Sequence, residues 1–260
     1  MPSIRLHCWL ASFKHFRPGL RWLFAAALTP GILIGLLLSY GIYQNERQQL
    51  EQGALQTARA LLKAIDSELI KAKSAALSLS RSEHLTRKNF SAFYSQAIDV
   101  IEVTGAGNNF VLSDISGQQI VNTAKPFGAP LPHHGNLAHL RRVTQTGRAA
   151  ISDLYLGPVL KQPLFTIDVP VLQDSKVVFI LSIGLMPDHF SQLLLDQKLP
   201  TGWIAALLDS QNIVIARNLN PKTAIGQKAT PDLQAQLGLC LLYTSPSPRD
   251  LSTSRMPSSA

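Results

Sequence analysis

The chain has 260 residues, two cysteines and a formal net charge of +8, with 46% hydrophobic and 15% charged residues. So few cysteines exclude a disulfide scaffold, and any folded part must hold itself with an ordinary apolar core. The basic excess is no nucleic-acid signature. Arg5, Lys14, Arg17 and Arg21 all precede the first acid, Glu46, and residues 44–240 mix both signs without an aromatic-interleaved basic stripe.

Residues 1–21 form a basic stub, expected in the cytoplasm, where it also suits anionic lipid headgroups. Residues 22–43, WLFAAALTPGILIGLLLSYGIY, carry no charge. A run of roughly 22 apolar residues is long enough for a helix to cross the hydrocarbon core of a bilayer. A cleaved signal peptide has a shorter apolar region, and Ser39-Tyr40-Gly41 is a poor cleavage site, so an uncleaved anchor is expected. Lysine and arginine stay on the cytoplasmic side, so the remainder is expected outside the inner membrane.

Residues 44–80 read as one long juxtamembrane helix. Ala54, Ala58, Leu61, Ile65, Leu69, Ala72, Ala76 and Leu79 recur at steps of three and four. That stripe can pack on its own domain or on the same helix of a second subunit, and a homodimer through it is expected. Residues 82–86 break the pattern. Residues 88–103 predict a second helix, ended by Gly105 and Gly107. A strand, a Ser116-Gly117 turn and a returning strand over residues 118–122 follow. After a proline-rich loop, residues 136–146 predict a short helix with Asn136 as cap and Gly147 as stop.

Three strands come next, over residues 150–156, 164–172 and 176–185, and Pro170 marks an edge or a bulge in the second. Residues 187–195 predict a linking helix opened by Pro187. Residues 203–208 and 213–216 then repeat the earlier hairpin: FVLSDISGQQIVN is echoed by IAALLDSQNIVIARN, each with an aspartate before its turn. The echo predicts two related units in tandem, the second incomplete. Asp114 and Asp209 are expected to form these turns by bonding nearby backbone.

From Cys240 onward, CLLYTSPSPRDLSTSRMPSSA is rich in serine, threonine and proline and has no period. It resembles a translated sequencing-adapter read-through, which implies that the natural chain continues beyond Leu237.

The order of elements, together with FVLSDISGQQIVNT, PFGAPLP, GRAAISDLYLG, QPLFTIDVPVLQDSKVVFILSIGL and GWIAALLDSQNIVIARN, resembles the double Cache sensor domain of bacterial sensor histidine kinases over about residues 44–237. The resemblance implies an α+β fold: a transmembrane helix and a long helix, then tandem PAS-like antiparallel-sheet units. The membrane-distal unit is expected over residues 81–196 and a truncated second unit over 197–239. It implies a small-molecule ligand in the distal unit and signalling across the membrane, most simply to a histidine kinase, with a diguanylate cyclase or chemoreceptor as alternatives. The tyrosine, arginine, tryptophan and aspartate pattern of amino-acid-binding members is missing, so that ligand class has no support.

No H-E-x-x-H, G-x-S-x-G, P-loop or G-x-G-x-x-G motif occurs, so no catalytic residue, cofactor or metal is expected. His133, His134 and His139 are read as exposed loop histidines rather than metal ligands, because a metal site needs three or four converging groups. A membrane-anchored periplasmic enzyme would need a convergent catalytic set; a scaffold protein would lack a pocket. The candidate ligand-binding residues are Asp168, which interrupts an apolar strand, Arg141 and Arg142 from the preceding helix, and Tyr155 from the neighbouring strand. An arginine can pair a carboxylate bidentately, and an aspartate accepts from an ammonium or hydroxyl.

Overall fold

A computed structural model describes residues 18–200, 202–231 and 233–234, without the side chains of residues 18–28, 32, 45–52, 54 and 55. Residues 1–17 of the basic stub and the whole adapter-like tail lie outside the described residues. The chain divides into two units, Met1–Ala60 and Leu61–Ala260.

The described residues of the first unit belong to the leading part of α1 (Pro18–Leu79), with Pro30 inside the helix. Leu33, Ile34, Leu36, Leu37, Leu38, Tyr40 and Ile42 are all exposed. The expected membrane span is not found as such: among the described residues no helix is long and apolar enough to cross a membrane. The side chains that open the apolar run fall outside the description, and Thr29, Pro30, Ser39 and Tyr40 dilute what remains. No helix break separates residues 43 and 44, so the expected juxtamembrane helix is a continuation of α1 rather than a separate element.

In the second unit, the last part of α1 buries Ile65, Ala72, Ala76 and Leu79 of the predicted stripe, and Ala75 beside it. The break after it holds a single turn, α2 (Glu83–Thr86), capped by Ser82. α3 (Phe90–Thr104) starts two residues later than predicted, because the Asn89 side chain accepts from Ala92 N–H and caps it.

β1 (Asn109–Asp114) and β2 (Gln119–Asn122) form the predicted hairpin. Asp114 Oδ1 accepts from Ser116 N at 2.8 Å and Gln118 N at 3.0 Å, the expected turn role. Gly117 sits at φ 91°, a left-handed position that a Cβ would strain, and an added Cβ would also strike Leu137 Cδ2 at 2.2 Å. α4 (Leu137–Thr146) has the predicted cap, Asn136, and the predicted stop, Gly147.

The expected single strand over residues 150–156 is two short ones, β3 (Ala150–Ile151) and β4 (Tyr155–Leu156). Ser152 still bonds its in-register neighbour on β5, donating its N–H to Thr166 O at 2.8 Å and accepting from Thr166 N at its Oγ at 2.9 Å, and the ladder is left at Asp153 and Leu154, which bond Ser210, Gln211 and Asp209 instead. β5 (Pro163–Gln173) and β6 (Lys176–Leu185) are long and antiparallel, with a register shift one residue past Pro170. These strands form a six-stranded antiparallel sheet in the order β2-β1-β6-β5-β3, with β4 also paired to β5.

Paired residues point to the same side of a sheet, so the register defines its two faces. Phe110, Ile183 and Ile167 align across one face, and Leu112, Leu181 and Val169 extend it. This face is buried in one core with Ala76 and Leu79 of α1 and Phe93 and Ala97 of α3.

α5 (Pro187–Asp196) links to a second hairpin, β7 (Ala206–Leu208) and β8 (Val214–Arg217), followed by α6 (Pro221–Ala224). β7 is shorter than the predicted 203–208, because Ala205 N–H donates to the Asn218 side chain instead of a strand neighbour. The hairpin repeats the first turn's chemistry. Asp209 Oδ1 accepts from Gln211 N and Ile213 N, two and four residues on, and Asn212 holds the left-handed position that Gly117 holds earlier.

Candidate functional site

The opposite face of the large sheet is polar. Thr166, Gly184 and Asn109 align across it, as do Asp168, Ser182, Val111 and Asn122, with Ser113 beside Gln119. Asn109, Ser113, Gln119, Asn122, Thr166, Asp168 and Ser182 are nevertheless all buried. Apolar packing covers only one end of the face, where Leu140 and Val143 of α4 meet Ile180.

Buried polar groups normally find hydrogen-bond partners, and each one left without costs about 1–3 kcal/mol. Among the described residues, seven buried side-chain atoms have none, and six of them belong to this region: Asn109 Oδ1, Ser113 Oγ, Ser182 Oγ, both Asp168 carboxylate oxygens and His139 Nε2. Unmet hydrogen-bonding capacity is therefore concentrated on one sheet face.

A cleft opens on that face, with about 310 Å³ of empty space counting its mouth. Its floor is Asn109, Val111, Gln119, Asn122, Thr166 and Gly184; one wall is Tyr155 with residues 157–160 and Leu164, and His134 closes the other. Three side-chain amides run in series along the floor. Asn109 Nδ2 donates to Asn122 Oδ1 at 3.1 Å, and Asn122 Nδ2 donates to Gln119 Oε1 at 2.9 Å.

His134 corrects its reading as an exposed loop residue. The proline-rich loop is tied back to the first hairpin by His134 N–H to Gly117 O at 2.7 Å and Gln118 Nε2 to Leu131 O at 2.9 Å. This buries the His134 ring. Its Nδ1 accepts from Asn136 N–H at 3.1 Å, which assigns the proton to Nε2, 3.2 Å from the Tyr155 hydroxyl. Burial pushes the imidazole below its ordinary pKa, and the Asp168 charge opposes this only in part. Burial and the Asp168 charge push the Tyr155 phenol upward, so it stays protonated. Gly135 lets the Tyr155 ring close in, since a Cβ there would lie 2.8 Å from Cε2.

Asp168 is fully buried beside the cleft rather than facing water. His139 Nε2 lies 3.3 Å from Asp168 Oδ2, close enough for charges to pair but not aligned as a hydrogen bond. His139 thus corrects the exposed reading as well, whereas His133 is exposed. Among the described residues, no three histidines, cysteines or acids converge as metal ligands.

The structure brings Tyr155 into the cleft and Asp168 next to it, but not the arginines. Arg141 and Arg142 are exposed, because Leu140 and Val143 set the buried side of α4 and the two residues between them point away. The amide series Asn109, Gln119 and Asn122 was missed. The available signal was polar residues at alternate positions in strands whose other positions are apolar.

The large antiparallel sheet thus carries packed helices on its apolar face and a polar cleft on the other. The chain has the fold of Cache-type ligand-binding sensor domains. The sensor domain of the Vibrio cholerae histidine kinase DctB matches with TM-score 0.52 and 13% identity, covering 75% of this chain and 78% of that one. Methyl-accepting chemotaxis protein X matches with TM-score 0.56 and 15% identity, covering 73% and 82%. The ligand-binding domain of the Campylobacter jejuni chemoreceptor Tlp3, solved with L-norvaline, matches with TM-score 0.50 and 15% identity, covering 70% and 74%. No family model matches the sequence, and no curated protein matches it. Of these neighbours, the DctB match is a sensor domain and the Tlp3 match a ligand-binding domain.

Proposed function

We propose that the chain is the extracytoplasmic sensing region of a transmembrane signalling receptor, and that the cleft on the polar sheet face binds a small molecule. The observation that carries this is a cleft floored by buried amides, of which Asn109 Oδ1 has no hydrogen-bond partner, on a sheet region where five further buried polar atoms also lack one. A ligand or bound water is the physical remedy for such groups, and a cavity lined by a few convergent polar groups is a typical ligand site. Tyr155 contacts the ligand, and Asp168 acts on it from behind.

Residues 22–43 anchor the domain, with the stub inside and the sensor outside, on the strength of their length and one-sided basic flank. Residues 81–196 are the sensing unit, and the second hairpin begins a related unit. Leu62 and Ile70 are exposed on α1 and suit a homodimer contact. Ligand binding biases α1 between two positions and so carries the signal to the membrane. Fold neighbours of both the histidine-kinase and the chemoreceptor kind fit such a receptor, and a kinase output is the reading that the sequence phrases favour.

The test is thermal-shift screening of the full chain, purified in mild detergent, against neutral, anionic, cationic and zwitterionic small molecules. At a concentration of 100 times Kd, a ligand of the native state adds about 2.7 kcal/mol of stability. No shift with any class refutes the sensing role.

A further inference from the structure

The cleft's chemistry narrows the ligand further, on the basis that the cleft is the sensing site. Among the described residues that line it there is no lysine, arginine, aspartate or glutamate. Its polar groups are three amides, two hydroxyls and one imidazole. The imidazole is held neutral, since its Nδ1 already accepts from Asn136 N–H, and the phenol keeps its proton. The formal negative charge nearby is Asp168, sealed behind the lining with His139 at 3.3 Å. The cations of the preceding helix, Arg141 and Arg142, face solvent.

A carboxylate entering this cleft loses its hydration, meets no counter-charge and feels the field of Asp168. Burying an unpaired ion costs far more than burying a hydrogen-bonded neutral group. A neutral molecule with hydroxyl or amide groups meets the right partners. Asn109 Oδ1 is buried, lacks a donor and lies over Gly184 on the cleft floor. The Asn109–Asn122–Gln119 series offers further donors and acceptors along one line.

We propose that the cleft selects an uncharged hydrogen-bonding small molecule, whose donor group meets Asn109 Oδ1 and whose other polar groups lie along Asn122, Gln119 and Thr166, and that it rejects carboxylates and zwitterions. This separates the site from that of the chemoreceptor domain solved with L-norvaline.

The experiment is calorimetric and thermal-shift titration of the full chain at neutral pH. The probes are myo-inositol, D-ribose and nicotinamide as neutral molecules, succinate and acetate as anions, L-norvaline as a zwitterion and putrescine as a cation. The expected result is binding confined to the neutral set and weakened at least tenfold by Asn122→Ala. Thr166→Val, which is nearly isosteric, repeats the test in case Asn122→Ala fails to fold. Binding of succinate, acetate, L-norvaline or putrescine that Thr166→Val weakens overturns the selectivity and leaves the sensing role intact. Neutral binding that neither variant alters overturns the placement in the cleft. No binding by any probe overturns the sensing role and the selectivity together.

Discussion

His134 gives a pH dependence whose sign follows from its surroundings. Its ring is 5% exposed, accepts from Asn136 N–H at 3.1 Å and faces the Tyr155 hydroxyl at 3.2 Å. Protonation would set an N–H against an N–H at Nδ1 and would bury a charge. The folded-state pKa is therefore lowered, while the unfolded chain titrates near the ordinary value of about 6.5. On acidification the unfolded state takes up the proton first. Stability is full well above pH ~6.5 and falls as the pH drops through that value toward the folded pKa. One site contributes a slope of at most about 1.4 kcal/mol per pH unit, so from about pH 7.5 to about pH 5.5 the loss is bounded at about 1.4 kcal/mol. That window stays above the carboxylates, so Asp153 and Asp114, both held below their ordinary values, add nothing to it.

The measurement is urea unfolding of wild type and His134→Gln across that range. Glutamine keeps an acceptor for Asn136 N–H and removes the proton site. The variant's stability should fall less than the wild type's toward acid, by up to about 1.4 kcal/mol. Coincident pH profiles, or a wild type that gains on the variant toward acid, would refute the burial argument.

The other predictions test the cleft and its supports. Gly184→Ala puts a Cβ 2.3 Å from Asn109 Oδ1 on the cleft floor; ligand binding should be lost with a stability cost of about 1–3 kcal/mol, read by titration beside chemical denaturation. Asp153 accepts from Ser210 N at 3.0 Å, Ser210 Oγ at 2.7 Å and Gln211 Nε2 at 3.1 Å, so Asp153→Ala should cost about 1–3 kcal/mol and raise amide hydrogen exchange in β7 and β8 while β1 and β6 stay protected. Burial alone would raise the Asp153 carboxyl, but its hydrogen bonds to Ser210 and Gln211 outweigh this and hold it low, so its contribution is present above the ordinary carboxylate pKa and lost as the pH falls through the folded value. Arg141→Ala and Arg142→Ala should leave ligand affinity within about twofold and stability within about 0.5 kcal/mol, because both side chains face solvent; a tenfold affinity loss would return them to the site.

The elements that were legible in the sequence are those whose local signals agree with their packing. α4 has Asn136, Gly147 and a Leu140–Val143 spacing that all point to one helix. β5 and β6 are rich in β-branched residues, and Pro170 lies past the end of β3, whose pairing with β5 stops at Asp168, so no strand on that side needs its N–H. The departures are all tertiary. Asp153 and Leu154 carry β propensity too weak to resist bonding the second hairpin, where Ser210 is a partner 57 residues away that no local window contains. Trp203 and Ile204 look like a strand, but Asn218 takes the Ala205 N–H that would extend the ladder.

The site was half legible, and the reason lies in how a strand buried on both faces reads. In β5, Thr166 and Asp168 alternate with Phe165, Ile167 and Val169, a pattern that for a half-exposed strand places the polar residues in water. Here β6 and β3 flank the strand, and the polar side is covered by α4, the Tyr155 wall and the His134 loop, so alternation separates two interiors rather than core from solvent. The same ambiguity hid Asn109 and Ser113 in β1 and Ser182 in β6. A polar residue in a single strand carries no information about this; three neighbouring strands with polar residues in register do, because solvent would require that whole face to be bare. A sheet of six strands whose polar face is left uncovered would be an open platform, and here Asn109, Ser113, Thr166, Asp168 and Ser182 are each less than 5% exposed. The cost of burying those groups is not met by protein partners at Asn109 Oδ1, Ser113 Oγ, Ser182 Oγ and Asp168, and of these Asn109 Oδ1 is the one on the cleft floor, where an entering molecule can meet it.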